Sequence, residues 1–187
     1  MSKIIAVANQ KGGVGKTTTA VNLSACLAVK NKKVLLIDID PQGNTTSGVG
    51  VDKNTVGMSI YDVVINEVNI EDIIVPTKIE NLMLCPSNIN LAGAEVELVS
   101  VISRETRLKA ALEDIRSNYD FIMIDCPPSL GLLTVNALTA ADTILVPIQC
   151  EYYALEGLSQ LMNTVKIVQK HLNRNLSVEG VVLTMFD

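Results

Sequence analysis

Eight residues near the start of the chain, Lys11-Gly12-Gly13-Val14-Gly15-Lys16-Thr17-Thr18, combine three glycines with two lysines and two threonines. Glycines let the backbone enter the positive-φ region and approach a ligand closely, so that successive N–H groups point at anionic oxygens. Lys16 adds a point charge suited to terminal phosphates, and the Thr17 hydroxyl is a ligand type that Mg²⁺ accepts. An apolar run, Ile4–Ala8, precedes the loop, and a stretch with helical spacing follows it. A helix beginning there aims its positive end at the same anion. The usual pattern, G-x-x-x-x-G-K-[ST], has glycine where this chain carries Gln10, and Lys11 is an additional lysine at the loop entrance. Taken alone, Lys11 is either a phosphate contact or a solvated loop charge.

Carboxylates arrive at two further points. After the apolar run Val34–Ile37 comes Asp38-Ile39-Asp40-Pro41-Gln42-Gly43-Asn44. Residues two apart in a strand point the same way, so Asp38 and Asp40 are expected to face the loop together. One would orient Mg²⁺ and its waters, and the other would position the water that attacks a γ-phosphate. The alternative is a pair of turn or helix-cap aspartates. Phe121-Ile122-Met123-Ile124 then closes on Asp125, followed by Cys126-Pro127-Pro128-Ser129. Asp125 is expected to hold the Mg²⁺ shell through Thr17 or water, with Pro127 and Pro128 stiffening a γ-phosphate-sensing turn.

The elements that must carry these groups follow from apolar patterning. Short apolar runs alternate with longer amphipathic ones, the pattern of βαβ units and a parallel sheet. Strands are predicted near 3–8, 33–38, 81–85, 120–125, 143–148 and 178–184. Helices are predicted over 16–30 (Ala20, Leu23 and Leu27 on one face), 104–117 and 154–172, with a short one at 60–65. Gly43, Gly48, Gly50 and Gly57 break the pattern between 41 and 80, which reads as a mobile insertion suited to a switch. The predicted fold is α/β: a doubly wound, mostly parallel sheet with helices on both faces, in one domain spanning 1–187.

Composition bounds the function. With 187 residues, 48% of them hydrophobic, the chain can fill one sizeable core. Aromatics amount to 3% and tryptophan is absent, which removes the stacking platforms of single-strand nucleic-acid binders. A net charge of −5 means that any DNA contact must come from a local basic patch. His171 is the only histidine, which excludes His-rich metal sites and most His-based triads. Cys26, Cys85, Cys126 and Cys150 show no metal spacing and are expected to be free buried thiols. Met1-Ser2-Lys3 opens straight into the first strand, so a cytoplasmic protein is expected.

These stretches together resemble the deviant Walker A ATPases, and within them the ParA/Soj chromosome- and plasmid-partitioning proteins. Lys11–Thr17 is similar to the family's signature-lysine loop, Asp38–Asn44 to its D-x-D-P-Q-G-N switch and Asp125–Ser129 to its D-C-P-P-S segment. Leu91–Glu95, Leu130–Ala137 and Cys150–Gly157 also resemble Soj. The resemblance implies an ATP hydrolase with ATP/ADP and Mg²⁺ as ligands. It implies Lys11, Lys16 and Asp40 as catalytic groups, residues Lys11 through Thr18 with Asp125 and Pro127 on the nucleotide, and Thr17, Asp40 and Asp125 on the metal. It further implies an ATP-dependent homodimer in which Lys11 reaches the phosphates bound by the partner, a ParB-type partner protein, nonspecific DNA binding and a nucleoid-associated location. Glu151, just after the strand at 143–148, is expected as an acidic partner for the incoming lysine. The strand at 178–184 runs into Met185-Phe186-Asp187 where a loop and covering helix should follow, so a chain truncated at its C-terminus is expected; in the family, much of the adenine pocket and arginines implicated in DNA contact lie past the position matching Asp187. A MinD-like membrane-cycling ATPase, an iron–sulfur electron carrier and a biosynthetic amide or carboxylate ligase share the same loop.

Overall fold

The computed structural model describes residues 2–150 and 154–185. Seven strands form one sheet: β1 (Lys3–Val7), β2 (Val34–Asp38), β3 (Val75–Pro76), β4 (Leu82–Cys85), β5 (Phe121–Asp125), β6 (Thr143–Gln149) and β7 (Ser177–Thr184). Their order is β3-β4-β2-β5-β1-β6-β7, with only β3 antiparallel to its neighbour. The helices are α1 (Lys16–Val29), α2 (Asn44–Gly48), α3 (Ile60–Asn66), α4 (Leu91–Glu97), α5 (Arg107–Glu113), α6 (Leu132–Ala140) and α7 (Ala154–His171). This is the expected doubly wound sheet. β1 lies between β5 and β6 while β2 lies beyond β5, so the carboxyl ends of β1, β2 and β5 open side by side where ligands bind in such sheets.

The period of two in the strands sorts side chains onto two faces. Ile4, Ala6, Leu35, Ile37, Ile122 and Ile124 join one core with residues of α3 to α7. Ile5, Val7, Val34, Leu36 and Met123 join the other, covered by α1. The innermost line of α1 is Lys16, Ala20, Ser24 and Ala28, one residue per turn, with Leu23 and Leu27 flanking it. Small side chains along that line let the helix lie close to the sheet.

Several elements depart from the sequence expectation. The segment 41–80 is not an insertion: Ile60, Val63, Val64, Ile70 and Ile73 are buried in the main core. Its glycines serve turns instead, Gly43 opening α2 at φ 61° and Gly50 following it at φ 87°. The helix predicted over 104–117 shrinks to Arg107–Glu113, because Ser103 takes a positive φ before it and a tight turn at Arg116–Asn118 follows. α6 has no amphipathic stripe because it is buried nearly all round. Of the four thiols, Cys85 and Cys126 are buried, as expected, but Cys26 and Cys150 are exposed. Among the described residues no helix is long and apolar enough to cross a membrane.

Candidate functional site

The loop after β1 is held from both flanks. Buried Asn9 donates from Nδ2 to the Pro147 carbonyl (2.7 Å) and accepts the Lys11 N–H at Oδ1 (3.0 Å), pinning the loop entrance to β6. Thr184, at the end of β7, donates from Oγ1 to the Val14 carbonyl (2.9 Å). Gly13 and Gly15 take φ values of 74° and 83°, a region costly for any residue with a Cβ. Gly15 is the N-cap of α1 and makes no side-chain cap bond, so the helix starts without a built-in anion. Lys16, the first helical residue, is 7% exposed and donates from Nζ to the Lys11 carbonyl (2.9 Å). Burial lowers its pKa from the ordinary lysine value, while Asp125 and Asp40 pull the other way.

The strand tips beside the loop supply the acids. Asp125 is wholly buried at the end of β5, and its Oδ2 accepts from the hydroxyls of Thr17 (2.8 Å) and Thr45 (2.6 Å). Its Oδ1 is buried without a hydrogen-bond partner. Burial raises the Asp125 carboxyl to about 6, against the opposing effect of the two threonine bonds. An orphaned buried oxygen is costly unless something occupies its lone pairs. Beside the Thr17 hydroxyl, that oxygen fits a divalent cation bound through oxygen and water.

Asp38 and Asp40 separate, contrary to the expectation that both face the loop. Asp38 pairs in register with Asp125 across β2 and β5 and is wholly buried. Its Oδ2 accepts the N–H and the hydroxyl of Thr46, each at 2.7 Å, and its Oδ1 accepts the Asp40 N–H at 3.2 Å. It therefore acts as the turn aspartate of the alternative reading. Burial pushes its carboxyl up to about 7, opposed by the Thr46 bonds. Asp40, past the strand end, reaches the cleft instead, its Oδ1 accepting the Gln42 N–H (2.9 Å).

The cleft so formed has a volume of about 330 Å³. Gly12, Gly13, Gly15, Lys16, Thr17 and Thr18 line it on one side, and Asp40 and Pro128 on the other. Of the residues expected on the nucleotide, Lys11, Val14, Asp125 and Pro127 are not among those lining the cleft. Val14 is 2% exposed and packs inward, and Pro127 is buried, leaving Pro128 as the proline that faces the cleft. Asp125 touches the site through Thr17 rather than by lining it. Glu151 lies outside the described residues. Thr45, Thr46, Asn9 and Thr184 were not anticipated. The first two directly follow the acidic segment, where hydroxyls next to buried carboxylates are a usable signal, whereas Thr184 is 170 positions from Val14 and carries none.

The cleft can hold a polyphosphate on a lysine and backbone amides and bring a hydroxyl, a carboxylate and a cation site to its end. Comparison with known proteins agrees. Residues 2–178 match a family model described as an AAA domain. The sporulation initiation inhibitor protein Soj of Bacillus subtilis is 65% identical over the full chain, which spans 74% of that protein. The chromosome partitioning protein ParA of Myxococcus xanthus is 53% identical over the full chain, which spans 66% of it. Among solved structures, one described as cobyrinic acid a,c-diamide synthase from Mycobacterium smegmatis, with bound ADP and magnesium, superposes with a TM-score of 0.96 at 43% identity. That match covers all of this chain and 76% of the other, and the same protein has been solved with an ATP analog and magnesium.

Proposed function

Because the chain belongs to the ParA/Soj family of partitioning ATPases, we propose that it is an ATP-operated dimer switch whose cycle drives segregation of DNA. The observation that carries this is the convergence of the Lys16 loop, the Thr17–Asp125 pair and Asp40 on one cleft. Lys16 and the loop amides bind the phosphates, and Asp40 orients the attacking water and takes its proton. Thr17, Asp125 and Asp40 would hold Mg²⁺, which when bound offsets charge on the β- and γ-phosphates. The ADP, ATP analog and magnesium bound by the Mycobacterium smegmatis relative support these ligands.

Lys11 stands at the loop mouth, half-buried, its carbonyl engaged by Lys16 and its N–H by Asn9. Its main chain is thereby fixed where a second subunit approaching the cleft would meet it. In the dimer each Lys11 reaches the phosphates bound by the other subunit, a cation in trans of the kind worth about 10³–10⁵ in rate in other nucleotide hydrolases. Lys11→Gln is expected to bind ATP with near-normal affinity but to stay monomeric. Light scattering with ATP checks this, and normal dimerisation of the variant would remove the trans role.

DNA binding and stimulation by a ParB-type partner complete the proposed cycle. With a net charge of −5 the monomer is a poor polyanion ligand, and dimerisation doubles whatever basic patch it has. Sedimentation of the full-length protein with ATP, with and without DNA and across a salt series, tests the whole reading. Co-sedimentation should require ATP, and log affinity should fall with log salt by about 0.9 per phosphate contacted. ATP-independent or salt-insensitive behaviour would contradict it.

A ligase reading draws on the name of the Mycobacterium smegmatis relative, but the greater identity to Soj, 65% against 43%, favours partitioning. ATP turnover that requires a carboxylate acceptor and an ammonia donor would reverse that preference. An iron–sulfur carrier is disfavoured because Cys85 and Cys126 lie inside the core, where burial pushes both thiols up, and because the exposed Cys26 and Cys150 belong to no metal-holding cluster among the described residues.

A further inference from the structure

We infer that Ser87 is a positioning residue for hydrolysis, acting through the main chain of Asp40. The inference rests on the proposed role of Asp40 in the cleft. Ser87 follows Pro86 at the end of β4 and is wholly buried. Its Oγ donates to the Asp40 carbonyl (2.8 Å), and its N–H donates to Thr46 Oγ1 (2.9 Å). The Thr46 hydroxyl in turn donates a hydrogen bond to Asp38 Oδ2 (2.7 Å), while Asp38 Oδ1 accepts the Asp40 N–H (3.2 Å). The bonds close a ring: Asp40 carbonyl, Ser87, Thr46, Asp38, Asp40 N–H.

Inside this ring both main-chain groups of Asp40 are held by buried partners, while its carboxylate faces the phosphate loop. The Gly43 N–H also reaches the Asp40 carbonyl (2.9 Å), but that bond lies within the same turn and would move with it. Ser87 ties the turn to the sheet. Its own base is anchored, since the Pro86 carbonyl accepts the N–H of fully buried Ile60 (2.9 Å). A carboxylate that must place a water in line is sensitive to displacements of about 1 Å, which can cost about 10² in rate. Nucleotide affinity depends instead on Lys16 and the loop amides, none of which touches Ser87.

The test is ATP turnover and nucleotide affinity of full-length Ser87→Ala beside Asp40→Ala. Ser87→Ala should lower kcat about 10- to 100-fold while changing KM and ATP affinity by less than about threefold. Thr46→Val should do the same, and Thr46→Ser, which keeps the hydroxyl, should restore most of kcat; this pair decides the matter if Ser87→Ala fails to fold. Wild-type kcat in Ser87→Ala and Thr46→Val, or a raised KM with kcat unchanged, would overturn the inference. If Asp40→Ala itself turns over ATP normally, the proposed function of Asp40 falls and the inference with it. Loss in Asp40→Ala with normal Ser87→Ala overturns the inference alone.

Discussion

Lys16→Ala should abolish measurable nucleotide binding, weakening ATP affinity by about 100-fold or more. Lys16 is 7% exposed, and it brings a positive charge to a cleft otherwise bordered by Asp40 and, one bond away, Asp125. Without the ammonium, an incoming polyphosphate would face two carboxylates with only backbone dipoles and its own Mg²⁺ in its favour. Removing one member of a buried charged pair costs about 2–5 kcal/mol, and about 1.4 kcal/mol is a decade in affinity. Calorimetric titration with ATP and magnesium measures the change directly. Retained affinity would mean that the glycine loop is not the phosphate site.

Asp40→Ala should separate binding from turnover. The Asp40 carboxylate borders the cleft, but Lys16 Nζ donates to the Lys11 carbonyl and the Thr17–Asp125 pair remains to hold Mg²⁺, so ATP affinity should change little. Loss of a water-positioning base typically costs about 10²–10⁴ in rate. The variant should therefore accumulate as an ATP-bound dimer, visible as a persistent heavier species in sedimentation with ATP and as near-absent phosphate release. Unchanged phosphate release would assign the base elsewhere, and Asp38 could not replace it: that carboxylate is buried and occupied by Thr46 and the Asp40 N–H.

The parts of this site legible in sequence share one property, that their evidence is local. The glycine loop, the strand ahead of it and the helix behind it occupy residues 3 to 29 without a break. Asp125 was readable because four apolar residues of a central strand end in a lone acid. The split between Asp38 and Asp40 was not, because it depends on Thr46 turning back eight residues to cap Asp38. α6 escaped detection because a helix enclosed by α5, α7 and the sheet needs no polar face and so shows no period. β3, two residues long and ending in Pro76, offers too little pattern to distinguish from a turn. The segment 41–80 hides its structure for a related reason: its glycines look like interruptions, yet Gly43 and Gly50 shape turns around α2, and the apolar residues that follow complete the core.

The bond from Thr184 to Val14 also bears on the order in which the molecule can become competent. The glycine loop is synthesised well before its latch, which β7 makes 170 positions later. A nascent chain that has laid down β1, α1 and β5 holds the lysine and the acids but not the contact that fixes the loop's middle. Until β7 is in place, the middle of the loop lacks that restraint, so the phosphate cradle takes its final shape only after the sheet has extended to β7.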